Sequence, residues 1–376
     1  MHMPLRSRRR VTVCSLALAA VLTAGTFLPG VAGAADLTVV SWGGAYTKSQ
    51  ILGYIRPFQD ESGLDVEVVN YDGGLKEIRS QVRSYNVKWD VVDLEREDAL
   101  RACQEGLLEK IDPGMIPASP EGVPPREDFM PGSLTECGVG SVLWSTVLAY
   151  DPAAFPDEAP PRRMEALFDL KRFPGKRGLR KSPKGNLEWA LIADGVAPER
   201  VYEVLETDEG LDRAFRVLSR IKPHIIWWQA ASEAIHMLET DQLRMTAVYS
   251  GRVWEANTQR NAGLAMIWDH QTYDWDLWGI VRHTSHLERA KAFLRFAGST
   301  RSLAQQASHV PNAPVRRSSQ ERVPEAMRPY LPTAKDHMET ALQIDAEWWA
   351  EHYERINARF EQWLERPVRV PRSFPH

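Results

Sequence analysis

The sequence predicts an α/β protein built in two lobes. Strand and helix patterns alternate from 37 to 94, and the same alternation starts again after 164. The roughly 340 residues that follow an N-terminal leader suffice for two lobes, each with its own core.

The leader is read first. Arg6, Arg8, Arg9 and Arg10 precede an apolar run over 11–28, and Ala32-Gly33-Ala34 supplies the small residues a signal peptidase needs. This is the pattern of a secretory signal peptide over 1–34, and it predicts a periplasmic or extracellular protein. The paired Arg9 and Arg10 fit twin-arginine export as well as the general route, and the short segment after them selects neither. Cys14 lies too early in the run for lipid attachment. No later stretch stays apolar for about eighteen residues, so no membrane-spanning helix is expected. Setting aside the four leader arginines leaves 42 basic against 50 acidic side chains. That balance disfavours nucleic acid and anionic lipid as partners. In an oxidising compartment Cys103 and Cys137 are most simply a disulfide, with two buried free thiols as the alternative. No Cys or His cluster has metal-ligand spacing.

Apolar residues over 37–41 form a first strand, followed directly by Trp42-Gly43-Gly44-Ala45-Tyr46. A helix over 47–61 follows from Ile51, Tyr54, Ile55 and Phe58 at helical spacing. A second strand over 66–71, a turn at Gly73-Gly74, a helix over 75–84 and a third strand over 89–94 complete a parallel αβ pattern. Ligands of such sheets sit at the carboxyl ends of the strands, here 42–46, 71–74 and 94–97. A helix over 99–107 leads to a Pro- and Gly-rich loop and a strand over 140–151. The second unit has a helical segment over 164–173, a strand over 178–181, and helices over 187–193, 199–207 and 211–220. A strand over 225–228, a helix over 231–239 and a strand over 245–249 ending at Ser250-Gly251 finish it. The natural ligand position is the cleft between the two units.

Residues 267–280 then read Ile-Trp-Asp-His-Gln-Thr-Tyr-Asp-Trp-Asp-Leu-Trp-Gly-Ile. As a strand, 273–280 places Asp274, Asp276 and Trp278 on one face by alternation. Carboxylates beside an indole suit an organic cation, to which an aromatic face adds roughly 0.5 to 2 kcal/mol. The structural alternative is a hairpin of core aromatics and solvated aspartates. Helices over 287–297 and 302–306 follow, then an extended 311–315 and a capping box at Ser318-Ser319-Gln320-Glu321. Over 346–364, Trp349, Tyr353, Ile356, Phe360 and Trp363 define one buried helix face. Residues 365–376 form a loose tail. The chain has no G-x-x-x-x-G-K-[ST] loop, G-x-S-x-G elbow or H-E-x-x-H pair.

The chain resembles the periplasmic solute-binding proteins of ABC importers, of the spermidine/putrescine-binding type. The resemblance rests on 41–46 (Ser-Trp-Gly-Gly-Ala-Tyr), 89–92 (Trp-Asp-Val-Val) and 105–112 (Glu-Gly-Leu-Leu-Glu-Lys-Ile-Asp). Two further matches are Tyr249-Ser250-Gly251 and 275–280 (Trp-Asp-Leu-Trp-Gly-Ile). It implies a bilobal, type II-like binding-protein fold with hinge crossings. Lobe 1 would take 35–143 and 276–317, and lobe 2 would take 144–275 and 318–364. It also implies a monomer without catalysis and without a cofactor that hands one small solute to an inner-membrane permease.

Carried over by position, the ligand residues are Trp42, Tyr46, Glu95, Tyr249, Asp274 and Asp276, with Glu97 in the loop after the third strand. Two departures bear on the solute. Gly44 stands where some polyamine binders have an acid, and 180–185 reads Arg-Lys-Ser-Pro-Lys-Gly where they carry carboxylates. With Lys181 and Lys184 on the surface, the expected solute is a polyamine-like amine. With either lysine in the cleft, a zwitterion such as an ω-amino acid is expected instead. Two other roles fit the same sequence. One is a secreted hydrolase or lyase using Asp274, Asp276 or His270, and the other is a sensor subunit.

Overall fold

The computed structural model describes residues 35–156 and 158–367, so the expected leader and most of the expected tail lie outside the described residues. One mixed sheet carries the structure. Its strands are β1 (Leu37–Ser41), β2 (Val66–Asn70), β3 (Val91–Glu95), β4 (Val139–Tyr150), β5 (Arg177–Arg180), β6 (Ile225–Trp228), β7 (Met245–Tyr249), β8 (Ala265–Ile280) and β9 (Leu342–Gln343). The order is β2-β1-β3-β8-β4-β7-β5-β6, with β9 on the side of β8.

The three strands at each end are parallel, as strand-helix alternation requires: β1 between β2 and β3, and β5 between β6 and β7. Between these groups run β4 and β8, antiparallel to each other and to their outer neighbours β7 and β3. At about 3.3 Å per residue, the 16 residues of β8 reach at most roughly 50 Å, enough to run along β4 and then along β3. The stretch 267–280 is therefore one strand and not a hairpin. It carries no Gly or Pro turn pair, and its irregularity falls instead at His270, whose φ is 51°. His270 is held there by its N–H on Thr340 Oγ1 at 2.9 Å and by Trp189 Nε1 on its carbonyl at 2.8 Å. The pairing with β4 shifts beside it, between Thr146 and Leu148.

Three apolar clusters hold the sheet. The first joins Val39, Val92, Leu94, Trp278 and Phe293 under the β1–β3 group. The second joins Leu148, Leu179, Trp189, Trp349 and Phe360, and the third joins Val147, Trp228, Ile235 and Val248. Alternate residues of β4 enter the second and third clusters, which therefore cover opposite faces of the sheet. The helix Ala346–Glu365 buries Trp349, Ile356, Phe360 and Trp363, the stripe its spacing predicts.

Local departures from the sequence reading have identifiable causes. The first helix begins at Gly44 and widens into a π turn over Ile51–Ile55. A Cβ at Gly53 would lie 2.5 Å from the Gln306 backbone, so the helix Thr300–Ala307 can pack there only against glycine. The helix after β3 starts at Arg96, three residues earlier than expected, and this puts Glu97 in its first turn rather than in a loop. No capping box forms at Ser318: its hydroxyl and N–H both go to Asp128, which also pairs with the buried Arg316. Residues 318–331 were expected beside the second unit, yet Val323, Met327 and Leu331 pack into the first cluster. No helix among the described residues is long and apolar enough to cross a membrane.

Cys103 and Cys137 form a disulfide with Cα atoms 5.8 Å apart, tying the helix after β3 to the start of β4. A separation of 34 residues predicts that replacing both cysteines by serine lowers the unfolding free energy by about 3 to 4 kcal/mol. Urea unfolding of the two forms measures this; an unchanged midpoint and slope would show that the bond does not constrain the unfolded chain.

Candidate ligand-binding site

A cavity opens where the carboxyl ends of the parallel strands meet the middle of β4 and β8. Trp42, Ala45 and Tyr46 follow β1, Tyr71 and Asp72 follow β2, and Glu95 ends β3. From the other group come Arg180 at the end of β5, Gln229 after β6, and Tyr249, Gly251 and Arg252 at the end of β7. Trp144 and Asp276 enter from the crossing strands. The cavity has a volume of about 90 Å³.

One wall is acidic. Asp276 accepts the Trp144 indole N–H at 2.8 Å and contacts the Tyr46 hydroxyl at 2.9 Å. The same hydroxyl lies 2.7 Å from Asp93, which also accepts from Gln50 and Ser141. A tyrosine has one proton and cannot donate to two carboxylates at once. One of the two acids therefore holds a proton and donates to the tyrosine oxygen. Burial drives this, pushing Asp93 up to about 6 and Asp276 well above the usual carboxylate range, with the Asp93 charge raising Asp276 further. The aromatic lining continues in Trp42, which packs on Tyr71 with ring centroids 4.7 Å apart.

Beside it, through the cross-strand pair Glu95 and Asp276, lies a basic cluster. Arg180 Nη1 donates to Glu95 at 2.6 Å and to the Tyr249 hydroxyl at 2.9 Å. The Lys184 ammonium is buried between Glu95 and Glu97. Burial opposes the charge on Glu95, but Arg180 and Lys184 outweigh it and hold the carboxyl below its ordinary range. Glu97 is the reverse case, pushed up to about 8 by burial and by its acidic neighbours Glu95 and Asp98. Arg252 stands apart. It donates to the Gly43 carbonyl at 2.8 Å and, among the described residues, has no ion-pair partner. A Cβ at Gly44 would lie 2.3 Å from Arg252 Nη1, so the guanidinium fills the space that glycine leaves.

Of the residues singled out in the sequence, Trp42, Tyr46, Glu95, Tyr249 and Asp276 line the cavity and Asp274 does not. Asp274 lies two residues, about 7 Å, further along the strand. There it is fully buried against Arg96 at 3.3 Å, and Arg96 in turn lies 4.5 Å over the Trp275 ring and reaches Glu347. His270 is also absent from the lining; its ring nitrogen meets the Thr340 carbonyl. Lys184 points inward rather than to solvent, whereas Lys181 is partly exposed near Glu361. Trp144, Arg180 and Arg252 were missed. For Arg252 the signal was positional: it opens the helix Ser250–Arg260, directly after a parallel strand, where ligands are expected.

Comparison with known proteins follows the same lines. Residues 53–333 match the family described as bacterial extracellular solute-binding protein. A gamma-aminobutyric acid-binding protein of Pseudomonas aeruginosa is 37% identical over 331 residues, covering 88% of this chain and 91% of the relative. A solved GABA receptor superposes with a TM-score of 0.77 at 28% identity, over 89% of this chain and 99% of the other. MotA of A. tumefaciens B6, solved in complex with glucopine, gives a TM-score of 0.80 at 25% identity, over 88% and 99%.

The raised acid gives a pH test of the site without any solute. A carboxyl whose folded value is about 6 against an ordinary 3.8 favours the folded state in its neutral form. Its contribution is fully present below about pH 4 and is lost as pH rises through about 6. Asp93→Asn should therefore flatten the fall in unfolding free energy between about pH 4 and 7, read by urea unfolding across that range. Parallel profiles for the two proteins would mean that Asp93 is not the group that titrates.

Proposed function

The chain belongs to the bacterial extracellular solute-binding proteins, and we propose that it is the periplasmic binding component of an ABC importer for a short ω-amino acid of the 4-aminobutyrate type. The observation that carries this reading is Arg252, a cation in the cavity wall that makes no ion pair among the described residues, with Glu255 of its own helix acting on it only at longer range. A buried or half-buried guanidinium calls for an anion, and a solute carboxylate supplies one. On the acidic wall, Asp276 and the aromatic rings of Trp42, Trp144 and Tyr249 suit the solute ammonium. Entry of that ammonium favours the ionised form of Asp276, so binding releases a proton.

The choice between an amine and a zwitterion turns on Gly44 and Arg252. Where a polyamine binder of the resembling type has an acid, this chain has glycine, and the space holds a guanidinium. That reverses the charge at one end of the cavity and disfavours a diamine there. The relatives that bind gamma-aminobutyric acid support the same class. The two groups of strands would close on the solute and present a joint face to the permease, with no turnover of the bound molecule.

A thermal-shift and calorimetric panel of 4-aminobutyrate, 5-aminovalerate, putrescine and spermidine tests the solute class. The midpoint should rise with the two amino acids, and the bound compound should be recovered unchanged; a rise with the diamine or spermidine alone would overturn the reading. Arg252→Gln should weaken 4-aminobutyrate at least tenfold, about 1.4 kcal/mol, without weakening putrescine. Asp276→Asn should cost at least as much while leaving the empty protein's midpoint nearly unchanged, because the acid it replaces favours its neutral form there. Equal affinity in either variant would remove that residue from the site.

A further inference from the structure

One anion-binding cradle beside the cavity is already filled by the protein's own acid. Glu95 Oε1 takes Arg180 at 2.6 Å, while Oε2 takes the Lys184 ammonium. Tyr249 accepts from the same guanidinium nitrogen at 2.9 Å, so its own hydroxyl proton is free for a further acceptor. Two cations and a tyrosine around one carboxylate is the way a solute carboxylate is held. Both Glu95 and Arg180 line the cavity, and Glu95 comes from β3 while Arg180 comes from β5.

We propose that Glu95 is an internal competitor, whose carboxylate keeps Arg180 from pairing with a second carboxylate of the solute and so restricts the site to monocarboxylates. This rests on the ω-amino acid reading for the one carboxylate assigned to Arg252. A dicarboxylate entering the cavity meets Glu95 as a like charge. To reach Arg180 it has to displace Glu95, leaving a buried acid without its guanidinium. The opposite asymmetry holds for the cations. Removing the Glu95 charge leaves Lys184 with Glu97, but leaves Arg180 with no acid among the described residues. Glu95 thus acts on the solute through Arg180, as a specificity-determining residue rather than a direct ligand.

The test compares wild type, Glu95→Gln and Glu95→Asp by calorimetry with 4-aminobutyrate, glutamate and glutarate. Glu95→Gln should bind glutarate and glutamate at least tenfold more tightly than wild type does, and Glu95→Asp, which keeps the charge, should not. A merely structural role would lower affinity for all three solutes alike, and that result, or no gain for glutarate, overturns the proposal. Glu95→Ala unpairs the same guanidinium and carries the same expectation if the Gln variant does not fold. The two readings fail separately. A wild type that ignores 4-aminobutyrate beside a variant that gains glutarate removes the ω-amino acid reading and supports the competitor. A wild type that binds 4-aminobutyrate beside a variant with no gain removes the competitor alone, and no gain together with no 4-aminobutyrate binding removes both.

Discussion

The pairing of β4 with β8 is the constraint on which the site depends. β8 borders one parallel group through β3 and β4 borders the other through β7, so the register between the two fixes where the strand ends of one group stand relative to those of the other. The Trp144 indole and the Asp276 carboxylate, one from each strand, are hydrogen-bonded where the cavity lies. Apart from Val310 and Asn312, which follow the helix Thr300–Ala307, every other cavity residue sits on a strand end or on a helix or loop that follows one. Antiparallel pairing also explains why the crossing strands are long: a ladder hydrogen bond lost in the interior costs more than the chain length needed to keep it.

Electrostatics explains the site's asymmetry. Low-dielectric surroundings demand a partner for each charge or a proton to remove it. The acidic wall takes the second solution, with Asp93 and Asp276 sharing the Tyr46 hydroxyl in partly protonated form. The basic cluster takes the first, with Arg180 and Lys184 both paired to Glu95, while Glu97 beside Lys184 is pushed toward its neutral form. Arg252 takes neither, which is why it is the most informative side chain in the cavity. It lies beside a glycine whose absent side chain gives it room, and the sequence pattern of polyamine binders departs at that same glycine.

The α/β alternation, the strand ends that build the cavity and the C-terminal helix stripe were legible in the sequence because they rest on local periodicity. Tyr46 and Trp42 were placed beside the cavity for a related reason: they follow β1, whose end the periodicity defines. Asp274 was not separable from Asp276 by alternation, since what distinguishes them is Arg96, reaching from a helix 178 residues away in sequence. Lys184 is a similar case. Lysine is mostly exposed, and only the arrival of Glu95 and Glu97 from the other group of strands makes its burial tolerable. Arg252 was illegible because Gly251, Asn257 and Thr258 weaken the helical pattern of Ser250–Arg260, and without that helix its side chain has no defined direction.

The ion pairs across the middle of the molecule limit what a solute can contribute to closure. Glu95 with Arg180, Glu97 with Lys184, Arg96 with Glu347 and Arg101 with Glu354 all join the first group of strands and its following helix to the second group or the C-terminal helix. None of them needs a solute. A solute shifts an equilibrium only by its differential affinity for the two states. Contacts the protein makes with itself are present with or without the solute, and they set the baseline from which closure starts. On the ω-amino acid reading proposed above, the solute's share comes from Arg252, which makes no ion pair among the described residues, and from Asp276, whose proton an entering ammonium displaces. A molecule with only one charge engages one of these groups, whereas a zwitterion of the right length engages both.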